Sequence, residues 1–480
     1  MSAKGSSHQK HLFATASAEV KTYNPSKPRQ VVTQLQESTN SDVSRATDRA
    51  HLAQVEWKES SPAVRSDLLM NIGNTLNANE EQLADLMVDE VGKTRQDALG
   101  EVKNAAAVFR FYAGRVWNPT GKKIPSFRPG VSLSTERFPL GVVGLITPWN
   151  FPVNMLSVKL APALAWGNGA VVKPASAGLG SSLFLIDLLY EAGLPEGLVT
   201  SVIGPGDRVG GALIASQVIS GVSFTGSTDV GTQIAQKMAA TGRPFLGEMG
   251  GKNASVVLES ADLDNAVDTI VQSAFGFSGQ KCTATSRVIV QENVEKEFTD
   301  RLLQAVQQIT FGDPQEQTSY AGPIATRGQY EKIAGSVNSA VKKGQDVLPR
   351  WKLPEEPDVD GFYIQPAVLT DVSADDEVFQ EEIFGPVVSV TTAKDINEAI
   401  SFVNNSRFGL SASLFTQDPL EAQQFQQEAE VGVVNINLPT TGLEYQAPYG
   451  GWKMSGTSHQ ELGDEAMLFY TQAKSFATKW

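Results

Sequence analysis

Residues 141–174 read GVVGLITPWNFPVNMLSVKLAPALAWGNGAVVKP, in which two short apolar runs flank a segment with helical spacing. Further apolar runs follow at LVTSVI (198–203) and GVSFT (221–225), again separated by helical segments. Strands that are apolar along their whole length are typical of a parallel sheet covered on both faces. Because such strands alternate here with helices, the pattern predicts a doubly wound α/β domain.

A second series of the same kind follows. Helical spacing predicts helices over 263–277, 295–310 and 328–343. The predicted strands are SVVL (255–258), SRVIVQ (286–291), GPVVSVTT (385–392), LSASLFT (410–416) and VGVVNIN (431–437). Two α/β domains in succession predict a cleft between them.

Three other segments flank these series. Residues 42–116 carry helical periodicity, whereas Pro and Gly punctuate short alternating runs over 117–138, which predicts a projecting hairpin. The C-terminal SFATK (475–479) is predicted to pair with this hairpin or with another subunit. The N-terminal MSAKGSSHQKHLFATASAEV lacks the apolar stretch of a signal peptide and is expected to be a mobile tail, and no strands are evident in residues 1–30.

The composition limits the classes of protein. Of 480 residues, 41% are hydrophobic and 19% charged, as in globular rather than disordered proteins. Lys and Arg total 39 against 53 Asp and Glu, and the net charge of −14 disfavours nucleic acid and membrane as partners. With one cysteine, and four histidines in no metal-binding spacing, the chain is expected to hold no disulfide and no metal and to be cytoplasmic.

Phosphate-binding motifs are a natural expectation for an α/β domain. No GxGxxG follows the first predicted strand, and GSTDVGTQ (226–233) lacks the GK[ST] of an NTPase loop. FTGSTDVG nevertheless places Ser227 just before a predicted helix over 229–240, whose N-terminal amides attract an anion. An ordinary capped helix start is the alternative.

Cys282 is the candidate nucleophile and lies in GFSGQKCTATSR (276–287). A lone cysteine is usually a small core residue, but these flanks suit an accessible loop better than a core strand. The adjacent Lys281 ammonium would favour the thiolate, the nucleophilic form. Since no histidine is placed to help, a carboxylate is the expected base.

Two further polar residues stand in segments that would fix their side chains. Glu248 lies among glycines in PFLGEMGGKN (244–253), where partial desolvation would raise its pKa toward that of a general base; a solvent-facing turn acid is the alternative. Asn150 lies in TPWNFP (147–152), where two prolines fix the backbone and its amide could donate to an oxyanion; a simple turn former is the alternative.

From about residue 40 to its C-terminus the chain resembles the aldehyde dehydrogenase superfamily. The resemblance rests on ordered motifs: TPWNFP, GNGAVVKPAS, GPGD, FTGSTDVG, GEMGGKN, GQKCTATSR, EEIFGPVV, FGLSAS and PYGGWKMSG. It implies that Cys282 is the nucleophile, Glu248 the general base, Asn150 the oxyanion amide and Lys159 the buried lysine of a proposed proton relay. The thiolate would attack an aldehyde, hydride would pass to the nicotinamide, and Glu248 would activate water to hydrolyse the thioester, so coenzyme A is not expected to release the product.

The resemblance also implies the fold class, α/β of the aldehyde dehydrogenase type with two doubly wound α/β domains plus a small β oligomerisation hairpin. Residues 1–118 and 139–248 would form the nicotinamide-cofactor-binding domain, and residues 249–451 the catalytic domain. Residues 119–138 and 452–480 would be the oligomerisation segments. Unpaired strand edges in these segments predict a homodimer or homotetramer.

The implied cofactor is NADP or NAD. By the resemblance, Trp149 lines the adenosine side, Lys173 binds the adenosine ribose, Ser227 meets the pyrophosphate, and Glu382 binds the nicotinamide ribose near Phe384. The remaining cofactor-site residues are Thr147, Ser176, Gly206 and Gly226.

Two departures from the family's pattern carry predictions. Ser176 stands where NAD-preferring relatives commonly have an acidic residue, and without that repulsion a 2′-phosphate is predicted to be accepted; a helix N-cap is its alternative role. The family often has Gly-Arg-Glu near SGTSHQE (455–461), whereas here Ser458, His459 and Gln460 intervene, which predicts a differently folded C-terminal loop.

The substrate follows from the resemblance as well. GQKCTATSRVIVQ and EYQAPYGGWKMSGTSH look most like the branch that oxidises 2-oxoglutarate semialdehyde (2,5-dioxopentanoate). The implied substrate-pocket residues are Phe151, Met155, Val158, Thr283 and Tyr445. None of these is cationic and only Lys281 adjoins the nucleophile, so neutral aliphatic or aromatic aldehydes are the alternative. A thiol hydrolase and a catalytically silent structural protein of the same fold are further alternatives.

Overall fold

A computed structural model describes residues 10–348, 357, 361–442 and 444–480. In chain order its helices are α1 (Asn40–Trp57), α2 (Pro62–Ala78), α3 (Glu80–Val91), α4 (Arg95–Arg115), α5 (Asn154–Ala165), α6 (Leu179–Glu191), α7 (Gly211–Ala215), α8 (Thr228–Ala239), α9 (Leu263–Phe275), α10 (Glu295–Gln307), α11 (Arg327–Lys342), α12 (Glu377–Gln380), α13 (Ile396–Asn404), α14 (Pro419–Glu428) and α15 (Ala466–Tyr470). Its strands are β1 (Glu19–Asn24), β2 (Lys27–Gln36), β3 (Lys122–Ile124), β4 (Val131–Pro139), β5 (Val142–Ile146), β6 (Gly169–Lys173), β7 (Val199–Ser201), β8 (Ile219–Thr225), β9 (Phe245–Glu248), β10 (Asn253–Val257), β11 (Thr285–Gln291), β12 (Asp346–Leu348), β13 (Ala367–Thr370), β14 (Val387–Ala393), β15 (Phe408–Gly409), β16 (Ser411–Phe415), β17 (Val433–Ile436), β18 (Trp452–Lys453) and β19 (Thr471–Lys479).

A five-stranded parallel sheet forms the first α/β unit, in the order β7-β6-β5-β8-β9. Strands β5 and β6 are buried along their whole length, as the interior of a sheet covered on both faces requires. The chain adds β6 and β7 on one side of β5 and then returns to add β8 and β9 on the other. Ligands of such sheets bind where the strand order reverses, which here is at the carboxyl ends of β5 and β8.

A seven-stranded sheet forms the second unit, in the order β12-β13-β14-β11-β10-β16-β17. Its strands are parallel except for β12, which runs antiparallel to β13. The prediction of two doubly wound α/β domains is therefore confirmed. Helices α9, α10 and α11 lie within two or three residues of their predicted bounds.

A small antiparallel sheet has the order β19-β4-β3. Strands β3 and β4 form the predicted hairpin, and β19 pairs with β4 from Thr471 opposite Pro139 to Lys479 opposite Val131. The C-terminal strand thus pairs within its own chain. The domain boundaries given above and the role of this sheet in assembly stay predictions.

The N-terminal segment departs from its prediction. Within residues 10–36, β1 and β2 form a hairpin, and His11 is buried with its ring 2.7 Å from the Ser201 hydroxyl. The expected mobile tail is therefore wrong for the described part of this segment, and residues 1–9 lie outside the described ranges. The inward face of β1 carries Val20, Thr22 and Asn24, so it lacks the apolar alternation by which a strand is usually found.

In the part of the chain that the structure describes, none of the helices combines the length and apolarity needed to cross a membrane.

Candidate active site

A cavity of about 550 Å³ opens at the carboxyl ends of β5 and β8 and extends to the loop that precedes β11. This is the position that the strand order predicts for a ligand. The two sheets contribute to it unequally: Pro148 to Phe151 follow β5, Thr225 to Ser227 end β8, and Cys282 comes from the second unit.

Cys282 is half-buried and lines this cavity, so the alternative of an inert core cysteine is wrong. Its Sγ lies 3.5 Å from the hydroxyl oxygen of Tyr449, and its carbonyl oxygen accepts a hydrogen bond of 2.8 Å from the Asn253 amide. Burial, together with the carboxylates of Glu382 and Glu248, raises the pKa of the thiol to about 11. Lys281 is not among the groups that shift this pKa, so the expectation that its ammonium would favour the thiolate stays a prediction.

The loop that presents Cys282 begins with strained backbone. Phe277 and Ser278 both have a φ of 54°, in the left-handed region that side chains other than Gly seldom adopt. Gly279 follows with a φ of 68°, and a Cβ there would lie 2.3 Å from the carbonyl oxygen of Gly385. Strain of this kind persists where surrounding contacts impose it, and it is typical of active sites.

Asn150 is buried at the cavity wall, and its side-chain amide donates a 2.9 Å hydrogen bond to the carbonyl oxygen of Gln280. An amide nitrogen carries two hydrogens, so one remains for a ligand oxygen. The backbone carbonyl of Asn150 accepts a 2.8 Å hydrogen bond from Lys93, which also pairs with the buried carboxylate of Glu101. The alternative of a simple turn former does not account for these contacts, because both the side-chain amide and the backbone carbonyl of Asn150 make hydrogen bonds.

Glu248 ends β9 and is 3% exposed, so the alternative of a solvent-facing turn acid is wrong. One carboxylate oxygen accepts a hydrogen bond of 3.3 Å from the Gly451 N–H, and the other has no partner among the described residues. Burial and the nearby Glu461 carboxylate raise the pKa of Glu248 well above its usual value, against the effect of Lys159. Glu248 is not among the residues that line the cavity in this structure.

Lys159 belongs to a buried polar cluster next to Glu248. Its ammonium pairs with the Glu461 carboxylate and donates a 2.9 Å hydrogen bond to Ser223, whose hydroxyl lies 3.2 Å from the same carboxylate. Both charged side chains are almost completely buried, so each needs the other. Glu461 was not predicted as a site residue. The residues before it in the loop 455–461 differ from those that the family often has there, so the motif did not single it out.

Five of the predicted cofactor-site residues line the cavity: Trp149, Gly226, Ser227, Glu382 and Phe384. The rings of Trp149 and Phe384 meet edge to face with centroids 5.6 Å apart. Glu382 accepts a 3.1 Å hydrogen bond from the Gly251 N–H, and burial raises its pKa. Ser227 is the N-cap residue of α8, but its side chain makes no capping hydrogen bond, so its predicted contact with the pyrophosphate stays a prediction.

Four other predicted cofactor-site residues, Thr147, Lys173, Ser176 and Gly206, lie near the same sheet edge but outside the lining of this cavity. Burial lowers the pKa of Lys173 to about 8, and its ammonium donates to the Pro174 carbonyl at 3.1 Å. Ser176 is exposed, and the N-cap of α6 is Gly178 rather than Ser176. The alternative role of Ser176 as a helix cap is therefore wrong.

The predicted substrate-pocket residues divide into two groups. Phe151, Met155 and Thr283 line the cavity. Val158 lies in the hydrophobic core and is 1% exposed, while Tyr445 packs against Phe111 with ring centroids 5.5 Å apart; neither is among the cavity-lining residues. Helix α5 turns only its first residues toward the cavity, which spacing along the chain does not reveal.

The cavity also contains polar residues that the sequence did not single out. Lys93 lies over the rings of Phe151 and Phe277, 3.9 and 4.5 Å from their centroids, and Asn104 donates to the Asn154 side chain at 3.1 Å. Lys93 and Asn104 belong to the N-terminal helical region, which is distant in sequence from the motifs. No local signal could have placed them here.

Comparison with known proteins agrees with this fold. The sequence model of the Aldehyde dehydrogenase family matches residues 13–476. The chain is 39% identical over 461 residues to the alpha-ketoglutaric semialdehyde dehydrogenase of Bacillus subtilis (strain 168), covering 96% of this chain and 94% of that protein. It is 38% identical over 466 residues to the 2,5-dioxopentanoate dehydrogenase of Saccharolobus solfataricus, covering 95% of each. The crystal structure of betaine aldehyde dehydrogenase from Staphylococcus aureus in complex with NAD+ matches with a TM-score of 0.93 and 30% identity, over 97% of this chain and 93% of that one.

Proposed function

Because this chain belongs to the aldehyde dehydrogenase family, we propose that it oxidises 2-oxoglutarate semialdehyde (2,5-dioxopentanoate) to the carboxylic acid, with NADP or NAD as oxidant. The names of two relatives support this substrate. The observation that carries the choice is Lys281, a cation that lines the same cavity as Cys282. A thiol hydrolase would need no nicotinamide cofactor. That alternative therefore gives no role to Glu382 or to Ser227, whose side chain makes no capping hydrogen bond.

The residues of the cavity fit a nicotinamide cofactor. The buried hydroxyls of Thr147 and Thr225 have no hydrogen-bond partner among the described residues, although both lie where the sheet ends. The side chain of Ser227 makes no capping hydrogen bond at the start of α8, where the helix N-terminus would attract a pyrophosphate. Glu382 would accept hydrogen bonds from ribose hydroxyls. When bound, the cofactor would supply the hydride acceptor that oxidation of the Cys282 thiohemiacetal to a thioester requires.

The groups around Cys282 are suited to the first half of the reaction. The Cys282 thiolate, once the thiol proton has passed to water, would form a bond to the aldehyde carbon as the carbonyl electrons move to oxygen. The free hydrogen of the Asn150 amide and the Cys282 backbone N–H would then stabilise that oxyanion. The contact between Lys93 and the Asn150 carbonyl would hold the amide in place, because it fixes the segment from the other side.

Glu248 is suited to the second half. A carboxylate with a raised pKa can accept a proton from water near neutral pH and so activate it against the thioester. The Lys159–Glu461 pair lies close enough to influence that pKa, and we propose that it takes part in removing the proton to solvent. Because Glu248 supplies water activation, coenzyme A is not required to release the product.

Lys281 is proposed to bind the substrate carboxylate. No described residue accepts a hydrogen bond from its ammonium or forms an ion pair with it. The ammonium of Lys93, in contrast, pairs with the Glu101 carboxylate. Burial lowers the pKa of Lys281, and Asp97 and Lys93 act on it in opposite directions. A ligand carboxylate would therefore stabilise a charge for which no described residue supplies a direct partner.

Replacing Lys281 with Met should lower kcat/KM for 2-oxoglutarate semialdehyde by at least about tenfold, or about 1.4 kcal/mol, because the carboxylate loses its partner. A neutral aliphatic aldehyde of similar length should be oxidised as well as by the wild type. Steady-state kinetics with the two aldehydes measure this difference. Lys281→Arg keeps the charge and serves as the control.

An equal loss with both aldehydes would contradict the proposed carboxylate contact and would move Lys281 to a role at Cys282. A wild-type enzyme that prefers the neutral aldehyde would instead favour the alternative substrate class.

Cofactor choice depends on Ser176. An acidic side chain there would repel a 2′-phosphate, whereas the exposed serine does not, and Lys173 adds a nearby cation. Ser176→Glu should therefore weaken NADP by at least about tenfold and change NAD little, since one like-charge contact in a partly desolvated site is of that order. Titrating both cofactors against the variant and against Ser176→Ala tests this. If the wild type uses no NADP at millimolar concentration, the electrostatic argument fails.

We also propose a homodimer or homotetramer built through the β19-β4-β3 sheet. Strand β3 leaves one edge of this sheet unpaired among the described residues. Phe127, in the turn of the hairpin, is 95% exposed, and Trp117 nearby is 61% exposed. Apolar side chains beside an open sheet edge are typical of an assembly surface.

A further inference from the structure

Tyr449 lies beside the reacting sulfur. Its hydroxyl oxygen is 3.5 Å from the Cys282 Sγ, within hydrogen-bond distance for the large sulfur atom, and both residues line the cavity. Among the described residues, no other side chain makes a hydrogen bond to this sulfur.

The direction of this hydrogen bond depends on the state of Cys282. With a neutral thiol either group can donate, but a thiolate can only accept, so the tyrosine must donate to it. Burial raises the pKa of Tyr449 well above its usual value, and the neighbouring Cys282, Glu248 and Glu461 act in the same direction. The phenol therefore keeps its proton while the thiol loses one.

The surroundings of Cys282 make such a donor important. Burial and the acids Glu382 and Glu248 oppose formation of the thiolate, and the backbone N–H of Thr283 is the other group that favours it besides Tyr449. A hydrogen bond to a charged acceptor is stronger than one between neutral groups, so the tyrosine favours the thiolate over the thiol.

The tyrosine is also held in position. Its backbone N–H donates to the Glu461 carbonyl and its carbonyl accepts from the Glu461 N–H, both at 2.7 Å. Tyr449 is 9% exposed, and its ring is packed against the core cluster of the first unit. Its hydroxyl therefore needs no reorganisation to meet the sulfur.

We propose that Tyr449 is a further catalytic residue, whose hydroxyl donates a hydrogen bond to the Cys282 thiolate and stabilises the nucleophile before it attacks. The proton stays on the phenol oxygen throughout. This inference rests on the proposed role of Cys282 as nucleophile.

The test is alkylation of the full-length protein by iodoacetamide as a function of pH. Cys282 is the sole cysteine, so the reaction reports its thiolate alone, with no aldehyde or cofactor present. In Tyr449→Phe the midpoint of the profile should rise by about one pH unit or more, so that alkylation at neutral pH slows by about tenfold. Tyr449→Met, whose flexible side chain fills gaps, should shift the midpoint in the same direction.

Tyr23→Phe is the matched control, because it removes an exposed phenol on β1 and should leave the midpoint unchanged. In aldehyde oxidation, raising the pH should restore part of the activity that Tyr449→Phe loses, which a merely structural defect would not allow. An unshifted or lowered midpoint in both Tyr449 variants overturns the inference. The role of Cys282 in oxidation is decided separately by its own variant, so the two failures are distinguishable.

Discussion

Cys282→Ala should lower aldehyde oxidation by at least about 100-fold, because removing a nucleophile takes away the covalent route. Cofactor binding should stay close to that of the wild type, since Cys282 is not among the residues proposed to hold the cofactor. Steady-state oxidation and a cofactor titration measure the two effects. Cys282 is half-buried and forms no disulfide, so the variant should remain folded.

Chemical modification provides the control. Since the chain has a single cysteine, wild-type enzyme alkylated to completion should match Cys282→Ala in activity. Retention of more than about one per cent of the activity by the variant would remove Cys282 from the mechanism.

Glu248→Gln should slow turnover by about 100-fold or more while leaving the first turnover fast, because the base acts after the thioester has formed. Stopped-flow absorbance should record a burst of reduced cofactor followed by a slow steady state. The raised pKa of Glu248 also sets a pH dependence. Its carboxylate form prevails only above that pKa, so wild-type turnover should rise with pH through it, and the variant should lose this limb.

Glu59→Gln is the matched control, because its side chain is 78% exposed and is not among the residues that line the cavity. If Glu248→Gln shows no burst and a slow first turnover, Glu248 assists Cys282 rather than water. In that case the contact of Tyr449 with the sulfur would be one of two routes to the thiolate.

The two units of the fold could be predicted because their central strands are unambiguous. Strands β5 and β6 are apolar along their whole length, and only a sheet covered on both faces accommodates such segments. The hairpin of β1 and β2 escaped prediction for the opposite reason. Its inward-facing Thr22 is satisfied by a hydrogen bond to Glu90, so polar residues take the place of the expected apolar ones.

The candidate site could be predicted only where its residues stand in marked local sequence. Cys282, Glu248 and Asn150 lie among glycines or prolines, which indicate an unusual backbone conformation. Lys93 and Glu461 reach the site through tertiary packing, from a helix start and from a C-terminal loop. Periodicity and spacing carry no information on such contacts.

Local sequence also misleads about charge. The position of Lys281 next to Cys282 suggests a stabilised thiolate, yet the net effect of the folded surroundings is a thiol with a pKa of about 11. A neighbour in sequence is one charge among several, and burial acts on the group from every side. The chemistry of the sulfur is therefore decided by residues such as Tyr449 and Glu382, which are far away along the chain.

The last strand of the chain, β19, is joined to the buried Lys159–Glu461 cluster by a short stretch of chain. Glu461, in the buried cluster, and Thr471, where β19 begins, belong to one short stretch of chain. The start of β19 is pinned by the Tyr470 carbonyl, which accepts from Leu140 N–H and from the Asn168 side chain, both at 3.0 Å. A displacement of the β19-β4-β3 sheet should therefore also move the loop that holds Glu461, because only a short stretch of chain separates the two.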